Sequence, residues 1–174
     1  SAAFYGVGGA RISSQDGVAV RLDAQGSVIC QTSITEQGQG SESLTAQIVG
    51  SVLGVSMDRV RVILGDTDMT PYGGGTWASR GAGIGGEAAL QATKILRKNI
   101  LEVAAVILQS TPAELDIVGN AVVNVSDGAP RIELNELARI VYFRPDTLPP
   151  GIQPELMATK HYVPREYPFA FTNG

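Results

Sequence analysis

The sequence predicts an α+β fold in which mixed sheets of hairpins pack against two or three helices. Three observations predict it: β-rich runs paired across short glycine turns, two segments with apolar residues at helical spacing, and a hydrophobic content of 44% in 174 residues, enough for one core. The formal net charge of −4 disfavours a nucleic-acid partner. The longest apolar run, residues 103–108, is far shorter than the ~20 residues that cross a bilayer, so we expect no membrane partner.

A hairpin is the first clear element. Residues 17–23 and 27–34 are β-rich runs, and the turn Ala24-Gln25-Gly26 joins them. The one cysteine, Cys30, lies in the second run, where a core position is expected and an internal disulfide is impossible. A lone buried thiol is typical of a reducing compartment, so we expect a cytoplasmic protein.

The next segment, residues 41–54, has apolar residues at helical spacing and predicts the first helix. Ser41 suits the N-cap of this helix, and Gly54 suits the position just after its C-terminus. Strand alternation returns over 59–64, so the predicted order is strand, strand, helix, strand.

A glycine-rich loop and the longest helix follow. Residues 65–86 are dominated by turn-forming residues, and half of the fourteen residues from 73 to 86 are glycine. A loop of this length inside a compact domain is uncommon unless it is functional. The apolar pattern over 85–109 predicts a long helix that is largely buried.

A second hairpin is predicted over 115–118 and 121–125, followed by a short strand near Ile132 and a helix over 135–141. These elements complete the predicted core.

We divide the chain into an α+β core, residues 1–143, and an extended proline-rich segment, residues 144–174. Six of the nine prolines fall in this second segment, which we expect to pack on other parts of a larger subunit. The missing initiator methionine and the abrupt C-terminus lead us to expect a segment excised from a longer protein.

Two polar, glycine-bearing loops precede predicted helices. The first, residues 37–40, has the sequence QGQG and lies where free N–H groups and the helix dipole favour an anion. The second, residues 76–83, places hydroxyls and a guanidinium before the longest helix. Each has a structural alternative: a tight turn with a helix cap for the first, and close helix packing through small residues for the second.

The second loop runs into a literal G-x-G-x-x-G at Gly81, Gly83 and Gly86, but we reject a Rossmann nucleotide site. That motif requires a strand that ends at its first glycine, whereas the preceding predicted strand ends near Leu64.

Candidate catalytic groups are few. His161 is the only histidine and no G-x-S-x-G motif accompanies it, so we expect a structural role. Asp66 and Asp68 resemble a carboxylate pair, but aspartate after a strand is usually a turn-former. Trp77 suits either ligand stacking or packing. We therefore assign no catalytic and no metal-binding residue.

Four motifs occur in a fixed order: QGQGSE at 37–42, RVILGDTD at 61–68, PYG at 71–73 and TWASR at 76–80. The series resembles the molybdopterin-binding region of the large subunit of the molybdenum hydroxylases, the family of xanthine dehydrogenase, aldehyde oxidase and carbon monoxide dehydrogenase. The resemblance covers nearly the whole chain and implies that the α+β core is a fragment of the molybdopterin-binding domain.

The resemblance also implies which residues bind the cofactor. Gln39 is implied to hydrogen-bond near the molybdenum and the pterin dithiolene. The implied cofactor is molybdopterin, in the cytosine dinucleotide form common in bacterial members. The implied cofactor-binding residues are Gly38, Gln39, Gly40, Ala78, Ser79, Arg80 and Gly81.

For the full-length parent, the resemblance implies an oxidoreductase that hydroxylates an aldehyde or N-heterocycle using water. It also implies partners: the rest of the large subunit, and [2Fe-2S] and FAD on iron–sulfur and flavin subunits or domains. The catalytic glutamate of the family lies in a later motif that this chain lacks, so the isolated chain is expected to be inactive. The alternatives are a non-catalytic phosphate- or nucleotide-binding module and a purely structural domain.

Overall fold

The computed structural model describes residues 2–6, 15–152, 156–164 and 169–173. These residues form three helices and three sheets, which confirms the α+β class. The α-helices are α1 (Ser41–Leu53), α2 (Gly86–Ile107) and α3 (Leu134–Phe143). The strands are β1 (Ala2–Gly6), β2 (Asp16–Leu22), β3 (Val28–Thr32), β4 (Val60–Leu64), β5 (Leu115–Val118), β6 (Ala121–Asn124), β7 (Pro130–Glu133), β8 (Met157–Tyr162) and β9 (Phe169–Asn173).

The main sheet has four strands in the order β4-β3-β2-β8. Strand β2 pairs antiparallel with β3 and with β8, and β3 pairs parallel with β4. A parallel pair needs a crossover, and α1 supplies it. Helix α2 packs against β2 and β8, and α1 packs against α2 and β4, so the two helices cover the sheet.

The core lies between this sheet and its helices. Val18, Val20 and Leu22 alternate along β2 and are fully buried, as the period-2 pattern predicts. Cys30 lies opposite Val20 in β3 and is also fully buried, so its predicted core position is confirmed. Burial raises the pKa of the Cys30 thiol to about 12.

The two other sheets are small. Strands β5, β6 and β7 form an antiparallel meander, in which the turn at Gly119 and Asn120 joins β5 to β6 as predicted. Strand β1 pairs antiparallel with β9, which brings Ala2 opposite Asn173.

Two helix ends differ from the predictions. Ser41 is the first residue of α1 and not its N-cap, because Gly40, which has no side chain, takes the cap position with φ +84°. A π-helical turn, Gly81–Gly85, precedes α2, so helical structure begins four residues earlier than predicted. The predicted glycine after α1 is confirmed: Gly54 has φ +85° and donates its N–H to the oxygen of Gly50 at 2.9 Å.

Part of the proline-rich segment belongs to the main sheet. Strand β8 pairs with β2 over its whole length, and Leu156 and Ala158 are buried in the core. Residues 144–152 are mostly exposed, and for these the expected packing on other parts of a larger subunit stays a prediction. Within the described ranges, no helix is long and apolar enough to span a bilayer.

Gly54 provides a test of the packing between α1 and the meander. A Cβ at this position would overlap the backbone oxygen of Ile117, in addition to the left-handed φ of Gly54. We expect Gly54→Ala to reduce the free energy of unfolding by about 2–5 kcal/mol, measured by urea denaturation. Gly119→Ala is the matched control, because Gly119 has φ +65° and no atom near its Cβ position. The control should cost only about 1–2 kcal/mol, and equal losses in the two variants would contradict the overlap.

Candidate functional site

The fold brings the two polar loops into direct contact. We call residues 35–40 the first loop and residues 76–81 the second loop. Thr35 donates its N–H to Oγ1 of Thr76 at 2.7 Å, and Oγ1 of Thr76 donates to the oxygen of Thr35 at 2.8 Å. Nε2 of Gln37 also donates to the oxygen of Thr76, at 3.0 Å. The loops therefore form one tethered surface, although about forty residues separate them in sequence.

The first loop holds an anion of its own. The Glu36 carboxylate accepts the N–H groups of Gly38 and Gly40 at 2.9 Å, and that of Glu42 at 3.0 Å. These bonds, that of Glu42 foremost, lower the pKa of Glu36, so the carboxylate stays charged at neutral pH. Sequence reasoning missed Glu36 and expected an external anion at the N-terminus of α1. An acidic residue in the polar stretch just before the helix was the available signal.

Gln39 is held within the first loop. Its Nε2 donates to Oγ of Ser41 at 2.8 Å and to the oxygen of Thr35 at 3.2 Å, and its Oε1 accepts the N–H of Gln37 at 2.6 Å. The Cβ positions of Gly38 and Gly40 have no atom within 4 Å. This side of the loop is thus open for the close approach of a ligand to the backbone.

The second loop has a strained backbone. Ala78 has φ +46° and Ser79 has φ +58°, a left-handed conformation that costs an L-residue about 1–2 kcal/mol. Among the described residues, none accepts a hydrogen bond from the N–H of Ala78 or of Ser79. Ser79 is exposed and Ala78 is half-buried, so the loop offers two adjacent donors.

The Arg80 guanidinium points into the protein. Its Nη2 lies 3.0 Å from Oδ2 of Asp16, and its Nη1 donates to Oδ1 of Asp16 at 3.2 Å; both side chains are fully buried. Nη2 also donates to the oxygen of Gln15 at 2.9 Å, and Nη1 donates to the oxygen of Gly75. The structure thus corrects the expectation that the guanidinium forms part of a surface cradle for an anion. The following residue of the predicted site, Gly81, is buried as well.

The surroundings of Asp16 have opposing effects on the pKa of its carboxyl. Burial raises the pKa of its carboxyl, whereas the Ser33 hydroxyl, which donates to Oδ1 at 2.9 Å, and the Arg80 guanidinium both act to lower it. Oγ of Ser33 in turn accepts the N–H of Gly17 at 3.0 Å. The carboxylate is thereby fixed to the start of β2 and to the chain just after β3.

Trp77 lies next to Arg80 of the Asp16–Arg80 ion pair. Its Nε1 donates to the oxygen of Gly74 at 2.9 Å, and its ring centroid lies 5.8 Å from Cζ of Arg80, within cation–π range. These contacts support the packing role, one of the two alternatives for Trp77.

The remaining candidates have structural positions. Oδ1 of Asp66 accepts the N–H groups of Asp68 and Met69, which is the turn-forming role expected. His161 lies exposed in β8, opposite Gly17. Within the part of the chain that the structure describes, no three potential metal-ligating side chains come together.

Comparison with known proteins places this geometry in a family. The model of the molybdopterin cofactor-binding domain matches residues 1–174, the whole chain. The chain belongs to this domain family. The resemblance noted in the sequence motifs is therefore confirmed.

Several relatives of this molybdopterin cofactor-binding domain are large subunits. The chain is 30% identical over 145 residues to the nicotine 6-hydroxylase large subunit of Paenarthrobacter nicotinovorans, covering 83% of this chain and 18% of that protein. It is 32% identical over 162 residues to the carbon monoxide dehydrogenase large chain of Afipia carboxidovorans, covering 91% and 19%. The chain thus spans less than a fifth of the length of either relative.

A solved structure shares the fold of the domain. The crystal structure of quinoline 2-oxidoreductase from Pseudomonas putida 86 has a TM-score of 0.87 and 30% identity to this chain, covering 98% of this chain and 23% of that one.

The residues of the domain fit a molybdopterin. The cofactor is large and carries an anionic phosphate, so it needs an extended surface with donors that are not already paired. The tethered loops supply such a surface, with open backbone at Gly38 and Gly40 and with the N–H groups of Ala78 and Ser79, which no described residue accepts.

Glu36 gives the first loop a dependence on pH. Because three N–H groups stabilise its charged form, the loop is ordered above the ordinary carboxyl pKa and loosens as the pH falls through the lowered pKa. We expect Glu36→Gln to increase amide exchange in a peptide spanning 36–42 at neutral pH, measured by mass spectrometry, and acid to do the same in the wild type after correction for intrinsic exchange rates. Glu114→Gln is the control, because Glu114 accepts the N–H of Thr111 in a turn with no hydrogen bond to the first loop. Unchanged exchange in Glu36→Gln would contradict this role.

Thr76 provides a test of the tether. Thr76→Val keeps the shape of the side chain but removes both hydrogen bonds to Thr35, leaving a partly buried N–H without its acceptor. We expect the free energy of unfolding to fall by about 1–2 kcal/mol, measured by chemical denaturation. Thr76→Ser retains the hydroxyl and should lose less than half as much.

Proposed function

We propose that this domain binds the molybdenum cofactor across the first and second loops of a longer oxidoreductase. The observation that carries the proposal is the tether between the loops, since it joins a polar amide loop to a strained turn whose two N–H donors have no acceptor among the described residues. The proposed cofactor site consists of the seven residues that the motifs indicated, which act by direct contact or by holding the shape of the loops: Gly38, Gln39, Gly40, Ala78, Ser79, Arg80 and Gly81.

These residues are proposed to have different roles. The Gln39 amide is uncharged and already oriented by Ser41 and Thr35, so it can exchange one internal bond for one to the cofactor without moving a charge. The N–H groups of Ala78 and Ser79 suit an anionic oxygen of the phosphate group. Arg80 contributes through the shape of the loop, because its guanidinium is internal.

We propose that the whole protein hydroxylates an aldehyde or an N-heterocycle with oxygen from water. Nicotine and quinoline, which appear in the names of two relatives, are N-heterocycles and support the second class. The bound cofactor supplies the redox centre that takes up the two electrons of the reaction. No residue of this chain is proposed as the catalytic acid or base, so the isolated chain is expected to bind without turnover.

The finer features of the parent protein belong to the same proposal. The cofactor is the cytosine dinucleotide form, and electrons leave through [2Fe-2S] centres to FAD on partner subunits or domains. Names such as "large chain" and "large subunit" among the relatives support an assembly of several subunits. The buried Cys30 supports a cytoplasmic location. The family match disfavours the non-catalytic nucleotide-binding module.

Elemental and nucleotide analysis of the full-length protein from its native host tests the proposal. We expect near-stoichiometric molybdenum and release of a cytidine nucleotide by acid hydrolysis. Gln39→Ala and Ser79→Ala should each lower the molybdenum content, because Gln39→Ala removes the amide donor and Ser79→Ala removes an exposed hydroxyl beside the two N–H donors. Gln25→Ala is the control, since the Gln25 side chain is exposed in the β2–β3 turn. No molybdenum in wild type from a host that makes the cofactor would overturn the proposal, and full molybdenum in both site variants would favour a purely structural domain.

A further inference from the structure

The Asp16–Arg80 ion pair is an unusual feature for a small core. Both side chains are fully buried; Nη1 of Arg80 donates to Oδ1 of Asp16, whereas Oδ2, 3.0 Å from Nη2, accepts no hydrogen bond from the described residues. Burying such a pair costs desolvation energy that the attraction between the charges often only balances. In addition, Nε of Arg80 has no acceptor among the described residues. Stability alone therefore gives a poor account of this pair.

The geometry around the pair accounts for it better. Asp16 begins β2, its partner Ser33 follows β3, and Arg80 directly precedes the π-helical turn. The pair therefore fixes Arg80, the residue that follows Ser79, to the end of the main sheet at which β2 begins.

A glycine strap, residues 73–75, closes over the pair. A Cβ at Gly74 would lie 2.7 Å from Nη1 of Arg80 and 2.9 Å from its Cζ, and a Cβ at Gly73 would lie 2.6 Å from Oδ1 of Asp16. Only glycine allows the backbone to approach this closely. The strap seals the charges from water and supplies an acceptor, the oxygen of Gly75.

The second loop needs such an anchor. Ala78 and Ser79 are consecutive residues in a left-handed conformation, which persists only when the surroundings determine it. The indole of Trp77, which donates a hydrogen bond to the oxygen of Gly74, holds one end of the turn. The guanidinium of Arg80 holds the other end.

We infer that Asp16 and Arg80 are positioning residues for the molybdenum cofactor. They hold Ala78 and Ser79 in the strained conformation in which both N–H groups stay free for the cofactor. This inference rests on the proposed function. In this role Arg80 acts through its pairing with Asp16 and does not touch the cofactor. A guanidinium on the surface would instead bind the phosphate directly and would not need Asp16.

The test compares the rates at which variants of the full-length protein lose molybdenum during dialysis. Lysine cannot contact Asp16 and the oxygens of Gln15 and Gly75 at the same time. Arg80→Lys should therefore raise the rate of molybdenum loss about tenfold, which corresponds to the free-energy cost of one residue in the left-handed conformation. Asp16→Asn should raise it by a similar factor. Arg131→Lys is the matched control, because Arg131 pairs with Asp127 on the exposed surface, and it should have no effect.

A rescue variant separates positioning from structural damage. Adding Ala78→Gly to Arg80→Lys lets the turn adopt its left-handed φ without strain, so it should restore part of the molybdenum retention. The apolar double variant Asp16→Leu/Arg80→Met should keep the unfolding midpoint of the wild type, because hydrophobic replacements of buried pairs are often neutral, and yet lose molybdenum quickly.

The outcomes distinguish a failure of the proposed function from a failure of the positioning role. Wild-type protein without molybdenum would overturn the proposed function. If the wild type holds molybdenum, retention at the wild-type rate in Asp16→Asn or in the apolar double variant would overturn the positioning role alone. Failure of Ala78→Gly to restore any retention would overturn it as well.

Discussion

The buried ion pair between Asp16 and Arg80 is the constraint on which the arrangement of the site depends. It joins two residues that are 64 positions apart, one at the start of a central strand and one at the entrance to the longest helix. Because an unpaired buried charge is very unfavourable, neither residue can move without the other. The glycine strap, the Trp77 ring and the strained turn are all arranged around this contact.

The electrostatics of the two loops have a common feature. Each loop has a charged residue, and in each case the charge is already engaged by the protein: Glu36 by backbone N–H groups, and Arg80 by a carboxylate. The backbone N–H groups of Ala78 and Ser79 have no acceptor among the described residues, and the uncharged amide of Gln39 can exchange one internal hydrogen bond for one to a ligand. Neutral donors of this kind bind an anion without a large change in local charge, which limits the cost of desolvation.

Much of the fold could be predicted from local patterns. Period-2 alternation identified β2 and β3, helical spacing identified α1 and α2, and Gly54 correctly marked the end of α1, because these signals depend on neighbouring residues alone. The cap of α1 was misplaced, because Gly40 takes the cap position, and Glu36, which lies outside the helix, accepts the N–H groups of Gly40 and Glu42. The membership of β8 in the main sheet was missed because no local pattern relates it to β2.

Prediction of the candidate site from the sequence was limited in the same way, because long-range contacts leave no local pattern. The motifs located both loops, but they could not show that the Arg80 guanidinium turns inward, because its partner lies far away in sequence and no spacing connects the two. The left-handed turn at Ala78 and Ser79 was equally hidden, since neither residue favours that conformation on its own. In both cases tertiary contacts override local preference.

The pairing of β2 with β8 affects the order of events during biosynthesis. Strand β2 is made early, whereas the strand that covers its second edge, Met157–Tyr162, leaves the ribosome only after all three helices. Contacts between such distant segments form slowly, because a long loop must close first. The first and second loops are thus synthesised while the main sheet still has an open edge, and β8 can close that edge only after both loops have been made.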